Sequence, residues 1–293
     1  YPAKTMGAGA FCSWESGSDS GNIKTYFVKE NDSIVQKANY NGTNSTIYWK
    51  FKDTLNHTKV TVIVKGKMDI LTKITCFFKG GIHKVLGDIC ELSLHNLDKT
   101  LDYEMKTYSI KVNGIVQRKS GYCLKQTVSC HINSISKNIK IIMPRMVYFF
   151  KKNKLPIIGK PYVIYDQYEP GKNFATISVC IPVDKQIFVS PESDITSGKI
   201  EAFTCLKTTL IGDYSHRKEA WAKAEKHIAD NNLKINFAGK YIEVYSRTVD
   251  EIKSPSKWVT ELYIPVFPKA EVQKPVISTS ETTATGTPTP NSP

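Results

Sequence analysis

The sequence predicts an α+β protein in two parts: an antiparallel meander followed by a long helix, then a duplicated β-α-β-β unit. Three observations carry this expectation. Short alternating apolar and polar runs, broken by Gly, Asn and Asp, fill the first hundred residues. The segment "GKPYVIYDQY" (159–168) returns as "GKYIEVYSRT" (239–248), and "ISVCIPV" (177–183) returns as "TELYIPV" (260–266). Ahead of each pair stands a helical pattern, and ahead of each helix an alternating strand.

In chain order, the strands "GAGAFCSWES", "NIKTYFVKE", "DSIVQKANY", "STIYWKFKD" and "TKVTVIVKG" make the meander. A helix over about 76–101 follows, with Phe78, Ile82, Val85, Ile89 and Leu101 near one face. Meander and helix together enclose apolar volume, either a cavity or a core. The first repeat reads as strand 122–132, helix 134–154 and strands 159–168 and 177–183. The second reads as strand 200–211, helix 213–233 with Asp213 as N-cap, and strands 239–248 and 260–266. Duplicated units of this kind join into one sheet with both helices on one face and a groove between the halves. The boundaries expected are 1–102 and 103–267. Residues 268–293, rich in Thr, Ser and Pro, cannot repay the entropy of ordering and read as a disordered tail.

Composition excludes several classes. A content of 41% apolar and 23% charged residues over 293 positions suits a globular chain with two cores. No run approaches the roughly 18–20 apolar residues of a membrane span, and "IKIIMPRMVYFF" (139–150) is broken by Lys140 and Arg145. A cytoplasmic protein is expected, with an anchor upstream of Tyr1 left open. Seven cysteines, an odd number with no CxxC pair, lack zinc or thioredoxin spacing and point to a reducing compartment. No metal and no cofactor are expected. The net charge of +13 is concentrated: residues 103–160 hold twelve Lys/Arg against Glu104 alone. A local excess argues against a protein that coats nucleic acid. No pair of short helices suggests a helix-turn-helix, so no direct nucleic-acid contact is expected. Lys137, Lys140, Arg145 and Lys152 recur near helical spacing on the 134–154 helix. They form a solvated face, or a contact for an acidic partner or an anionic membrane surface. The oligomeric state is open.

One residue stands out in "SKWVTELYIPVF" (256–267). Trp258, Thr260, Leu262 and Ile264 share one strand face, while Val259, Glu261 and Tyr263 share the other. Aligned on the repeat, Ser178 stands where Glu261 does and Cys180 where Tyr263 does, so the strand itself needs no carboxylate. A buried, unpaired carboxylate costs several kcal/mol or raises its pKa until neutral. Either a lysine or tyrosine compensates Glu261, or Glu261 points into a groove to meet a cationic or polar ligand. Tyr165 and Tyr245 occupy matching repeat positions, and Tyr214 and Trp221 open the second helix. With Tyr263 these rings suit flat lipophilic molecules, a cation–π contact being worth about 0.5–2 kcal/mol. Trp258 reads as core.

Two resemblances sharpen the picture. "KTMGAGAFCSWES", "TIYWKF…TKVTVIVKG" and "FFKGGIHKVLGDICELSLHNL" resemble the later part of a START-like (SRPBCC) helix-grip domain, incomplete at its N-terminus. Residues 103–267 are similar to a gyrase-inhibitor-like domain, the effector-binding domain of AraC-type regulators. The matching motifs are "GDY…AW" (Gly212, Asp213, Tyr214, Ala220, Trp221), "YIEVYS" and "WVTELYIPV". The fusion, in this order, looks like a bacterial family architecture. The resemblance implies binding of a small hydrophobic or cationic molecule in the groove between the repeats. Glu261 would be the anchor, with Tyr263, Tyr165, Tyr245, Ser178, Cys180, Tyr214 and Trp221 around it. Some members resemble hydrolases that open strained rings of lipophilic toxins, which would give Glu261 a water to activate and Tyr263 a leaving oxygen to polarise. No GxSxG, HExxH or Cys-His spacing supports other hydrolytic chemistry. A third reading is an inhibitor acting by protein contact.

Overall fold

Asn41 and Gly42 both take positive φ, 48° and 83°, which suits the two-residue turn favoured between twisted antiparallel strands. They join β3 to β4 in a five-stranded meander within the first unit, Tyr1–Asp102. Its strands are β1 (Phe11–Ser16), β2 (Asp19–Lys29), β3 (Ser33–Tyr40), β4 (Thr43–Thr54) and β5 (His57–Gly66). The computed structural model describes residues 6–17, 19–55, 57–67, 73 and 81–268. Helix α1 spans Ile82–Lys106, later at both ends than expected, and positions 76–80 with Phe78 lie outside the described residues. The expected enclosure is not formed by the described residues. Thr25 is the only buried residue described in this unit, and Tyr26, Phe27, Tyr48 and Ile63 stay exposed. So do Ile89, Leu92 and Leu101 of α1. Periodicity marks an apolar face without naming what covers it, so the closed helix-grip is not seen there. A cleft of about 460 Å³ beside Trp14 and Gly21 lies open.

The second unit, Tyr103–Pro293, holds one eight-stranded antiparallel sheet in the order β10-β7-β9-β8-β12-β13-β11-β6. The first repeat is β7 (Gly121–His131), α2 (Ile135–Lys152), β8 (Tyr162–Glu169) and β9 (Phe174–Val183). The second is β11 (Phe203–Ile211), α3 (Arg217–Asp230), β12 (Tyr241–Arg247) and β13 (Val259–Pro265). They meet at β8 and β12, where Tyr162 pairs with Val244 and Tyr165 with Tyr241. Register is repeated too: Cys123 faces Pro182 as Cys205 faces Pro265. Each repeat carries a bulge, after Tyr165 and after Tyr245.

Two strands were not expected from sequence. β6 (Ser109–Arg118) precedes the first repeat but pairs with β11 of the second, and β10 (Thr196–Ile200) precedes the second but pairs with β7 of the first. Residues 119–120 alone link β6 to β7, and 201–202 link β10 to β11. Six strand spacings of about 4.8 Å would part each linked pair by about 29 Å in a flat sheet. A two-residue link reaches about 10 Å. The sheet must therefore curl. Its concave face holds Cys123, Tyr162, Ile164, Cys180, Ile242 and Val244, joined by Phe203 and Tyr263. The helices cover the convex face, α2 over Leu124, Val163, Ile177 and Val179, α3 over Leu206, Leu262 and Ile264. Among the described residues no helix is long and apolar enough to cross a membrane. Of the expected tail, 268–293, all but Pro268 lies outside the described residues.

Gly212, between β11 and the turn that opens α3, has φ +139°, and a Cβ there would meet Tyr108 Cβ at 2.4 Å. Its N–H donates to Trp258 O at 2.9 Å, and Asp213 caps the next turn through Ser215 N at 2.8 Å. Gly212→Ala is expected to lower stability by about 2 kcal/mol or more, a fall in Tm of about 4–8 °C for a unit of this size. Thermal unfolding with an unchanged Tm would contradict this backbone assignment.

Candidate functional site

The sheet parts the expected site residues into two groups. Glu261, Tyr263, Ser178 and Cys180 belong to the concave face. Tyr165 and Tyr245 lie on the convex face, which Trp221 of α3 and Tyr214 of the turn before it meet from above. Alternation within single strands showed each residue's own side, but the expected groove merged the two.

On the concave face, Glu261 is compensated. Lys207 Nζ donates to Glu261 Oε1 at 2.8 Å and Tyr263 OH to Oε2 at 2.7 Å. Burial raises the carboxyl pKa, but the hydrogen bonds from Lys207 and Tyr263 outweigh it and hold the group below its usual range. The first repeat builds a matching arrangement. Ser178 Oγ donates to Asp166 Oδ2 at 2.5 Å, and Lys240 pairs with Asp166 at 3.1 Å. Asp166 and Ser246 are the equivalent bulge residues, and Ser246 adds a small downward pull on the Glu261 carboxyl. Each half thus places one carboxylate and one serine at the paired positions 166/178 and 261/246, with their strands exchanged. The two carboxylates are equally enclosed, at 21% and 22% exposure. Comparing Glu261 with Ser178 alone hid this symmetry.

On the convex face stands a carboxylate that sequence reasoning passed over. Glu243, in the middle of β12, is the one buried charged residue among those described, at 1% exposure. Arg217 and Trp221, one helical turn apart on α3, both reach it. Trp221 Nε1 donates to Oε1 at 2.8 Å, Arg217 Nη1 to Oε2 at 3.1 Å and Tyr245 OH to Oε2 at 3.0 Å. Arg217 also donates to Ser136 Oγ on α2 at 2.7 Å and to Tyr214 O at 3.1 Å, so one side chain ties both helices to the seam between the repeats. Burial, then Glu243, pushes the Tyr165 and Tyr245 phenols well up. Burial brings Tyr214 up to about 12. For Arg217 burial acts downward, but Glu243 overrides it and the guanidinium stays charged. Rings complete the enclosure: Tyr165 meets Trp221 edge-on at 6.0 Å, Tyr214 meets Tyr245 edge-on at 5.6 Å, and Trp258 stacks on Tyr214 at 4.8 Å. Trp258, expected as core, is part of this wall.

The repeat supplies a control for Glu243. The matching residue is Val163, fully buried under α2. Thr260 departs in the same way: its partner across the strand pair is Tyr245, its hydroxyl is buried without a hydrogen bond, and the first repeat has Ile177 there. The second repeat has therefore replaced two core hydrocarbons by polar groups at one place. The signal was present in "YIEVYS", where Tyr241, Glu243 and Tyr245 share a face. On α2, Lys137, Lys140, Arg145 and Lys152 are exposed, opposite Ile142, Met146 and Phe150 in the core. No cluster of three or more His, Cys, Asp or Glu that could hold a metal occurs among the described residues.

A family model described as Cass2, integron-associated effector binding protein, matches residues 127–266. No curated protein sequence matches. Among solved structures, the chain is similar to EcmrR in a DNA complex, at 18% identity and TM-score 0.45 over 62% of this chain and 66% of that one. The present chain thus spans slightly under two thirds of that protein. It is similar to SAV2435 bound to tetraphenylphosphonium, at 10% identity and TM-score 0.39 over 55% and 93% of the two chains. An integron cassette protein from the mobile metagenome of Vibrio cholerae gives 16% and 0.36 over 54% and 99%. The expectation of no nucleic-acid contact is not supported by these comparisons.

Two expectations follow. Glu243→Val leaves Arg217 buried without its carboxylate and should cost about 3–5 kcal/mol, whereas adding Arg217→Leu should recover most of it. Denaturant unfolding of the single and double variants decides; equal losses in both would show that the ion pair is not the source. Glu261→Gln should cost about 1 kcal/mol at neutral pH. A carboxyl lowered on folding stabilises above its unfolded pKa and loses that contribution as pH falls through the folded one. The Gln variant should therefore show a shallower loss of Tm below about pH 4.5, the ordinary value for this group; parallel acid limbs would contradict the pairing.

Proposed function

We propose that residues 103–267 form a small-molecule-binding domain for a lipophilic cation, whose charge is met by Glu243. The observation that carries this is a carboxylate at 1% exposure, walled by aromatic rings, at a position where the sister repeat holds valine. Val163 at the sister position satisfies the same strand pairing, so the sheet itself does not require a carboxylate at Glu243. Thr260, with its unpartnered hydroxyl, supports the same place. Arg217, 17% exposed against 1% for Glu243, is the outer partner and the first residue of α3. A ligand cation taking its place exchanges one positive charge for another and lets Arg217 turn to solvent, so the carboxylate is never left bare. Tyr165, Tyr214, Trp221 and Tyr245 then offer ring faces to the apolar body. The effector-binding description of the matching family model supports the ligand class in general terms. Relative to the sequence reading, the anchor moves from Glu261 to Glu243.

A second reading keeps chemistry on the concave face. Tyr263 OH and Glu261 Oε2 lie 2.7 Å apart, and burial with the neighbouring carboxylate raises the phenol so that it keeps its proton. Glu261 orienting a water and Tyr263 polarising a leaving oxygen is the hydrolase this pair would make. For residues 1–102 the START-like relationship is a proposal resting on motifs. The basic face of α2 is offered to an acidic partner or an anionic surface.

Thermal shift with tetraphenylphosphonium, the molecule named for one neighbour, tests the anchor. At 100 times its Kd a ligand stabilises by about 2.7 kcal/mol. The shift should be present in the wild type and in Glu261→Gln and absent in Glu243→Gln, each read against its own ligand-free Tm. A shift kept by Glu243→Gln and lost by Glu261→Gln would return the anchor to Glu261.

A further inference from the structure

We propose that the concave face carries a separate site for a small aromatic anion, centred on Arg118. A cavity of about 250 Å³ opens where the two crossing links meet, lined by Arg118, Lys119, Lys160, Tyr162, Ile200 and Val244. The Arg118 guanidinium lies over two rings, Tyr162 at 5.1 Å and Tyr263 at 5.2 Å. Its Nε is buried and has no hydrogen-bond partner. A guanidinium presents its five donors in one plane. Rings against it strip water from its faces and leave in-plane donors to be satisfied, and a carboxylate satisfies two at once.

The charges in the cavity all have one sign. Lys160 is ion-paired with Glu251, while Arg118 and Lys119 form no ion pair among the described residues. A positive potential there favours an anion. Tyr162, Ile200 and Val244 supply an apolar wall, and the volume exceeds the roughly 150 Å³ that accepts benzene. One aromatic ring bearing one carboxylate fits both halves of the cavity. This site is independent of Glu243: it is on the opposite face and selects the opposite charge.

Calorimetric titration of the whole chain with benzoate tests it. Benzoate is expected to bind with a Kd on the order of 1 mM or tighter. Arg118→Met should weaken this by roughly tenfold or more, Ile200→Trp should abolish it by filling the cavity, and Glu243→Gln should leave it unchanged. Benzylammonium should not compete. Absence of benzoate binding up to about 20 mM overturns the proposal, as does wild-type affinity in both Arg118→Met and Ile200→Trp. Inorganic phosphate binding as tightly as benzoate overturns the aromatic part. Should Arg118→Met fail to fold, Ile200→Trp decides alone.

Discussion

Two links of two residues each, 119–120 and 201–202, must span what a flat sheet would hold about 29 Å apart. That constraint organises the second unit. It forces the sheet to curl, gives it a concave and a convex side, and brings Arg118 of β6 over Tyr162 of β8, four strands away in the sheet order. It also exchanges the leading strands between the repeats, so neither half is complete without the other. With the concave interior filled by cysteines, tyrosines and aliphatics, and the helices confined to the outside, every polar group in the strands is assigned to one of two chemically distinct environments.

Duplication then makes departures readable. Where both halves agree in chemistry, as in a lysine paired with a half-buried concave-face carboxylate, Lys240 with Asp166 and Lys207 with Glu261, the pattern belongs to the fold. Where one half breaks the pattern, as Glu243 does against Val163 and Thr260 against Ile177, strand pairing does not require the change, though Glu243 also holds the Arg217 that ties both helices to the seam. A buried ion pair is weak as a stabilising device, since desolvation offsets much of its attraction. The pair Glu243–Arg217 therefore adds little stability over the hydrocarbon of the sister repeat, which is consistent with the ligand role proposed for it.

Much of this was legible in the sequence. The repeat, its element order and both helices follow from self-similarity and period, because α2 and α3 each bury one stripe and the strands alternate cleanly. β6 and β10 were missed since their partners lie in the other repeat, and pairing across such distance leaves no local mark. Glu261 drew attention because it interrupts an apolar run. Glu243, flanked by Ile242 and Val244, sits on a face whose other members, Tyr241 and Tyr245, are polar enough to pass for a solvent side. Only the helices covering that face show it to be buried. In the first hundred residues the strands were readable, but what covers their apolar side chains was not.

The most direct measurement of the central claim is the Trp221 indole N–H resonance during titration with a lipophilic cation. That proton is donated to Glu243 Oε1, so it reports on the carboxylate without altering it. A cation held by Glu243 should shift this resonance and the Arg217 guanidinium signals together, saturating at one equivalent. Saturable binding that leaves both unmoved would place the ligand elsewhere and remove Glu243 from its recognition.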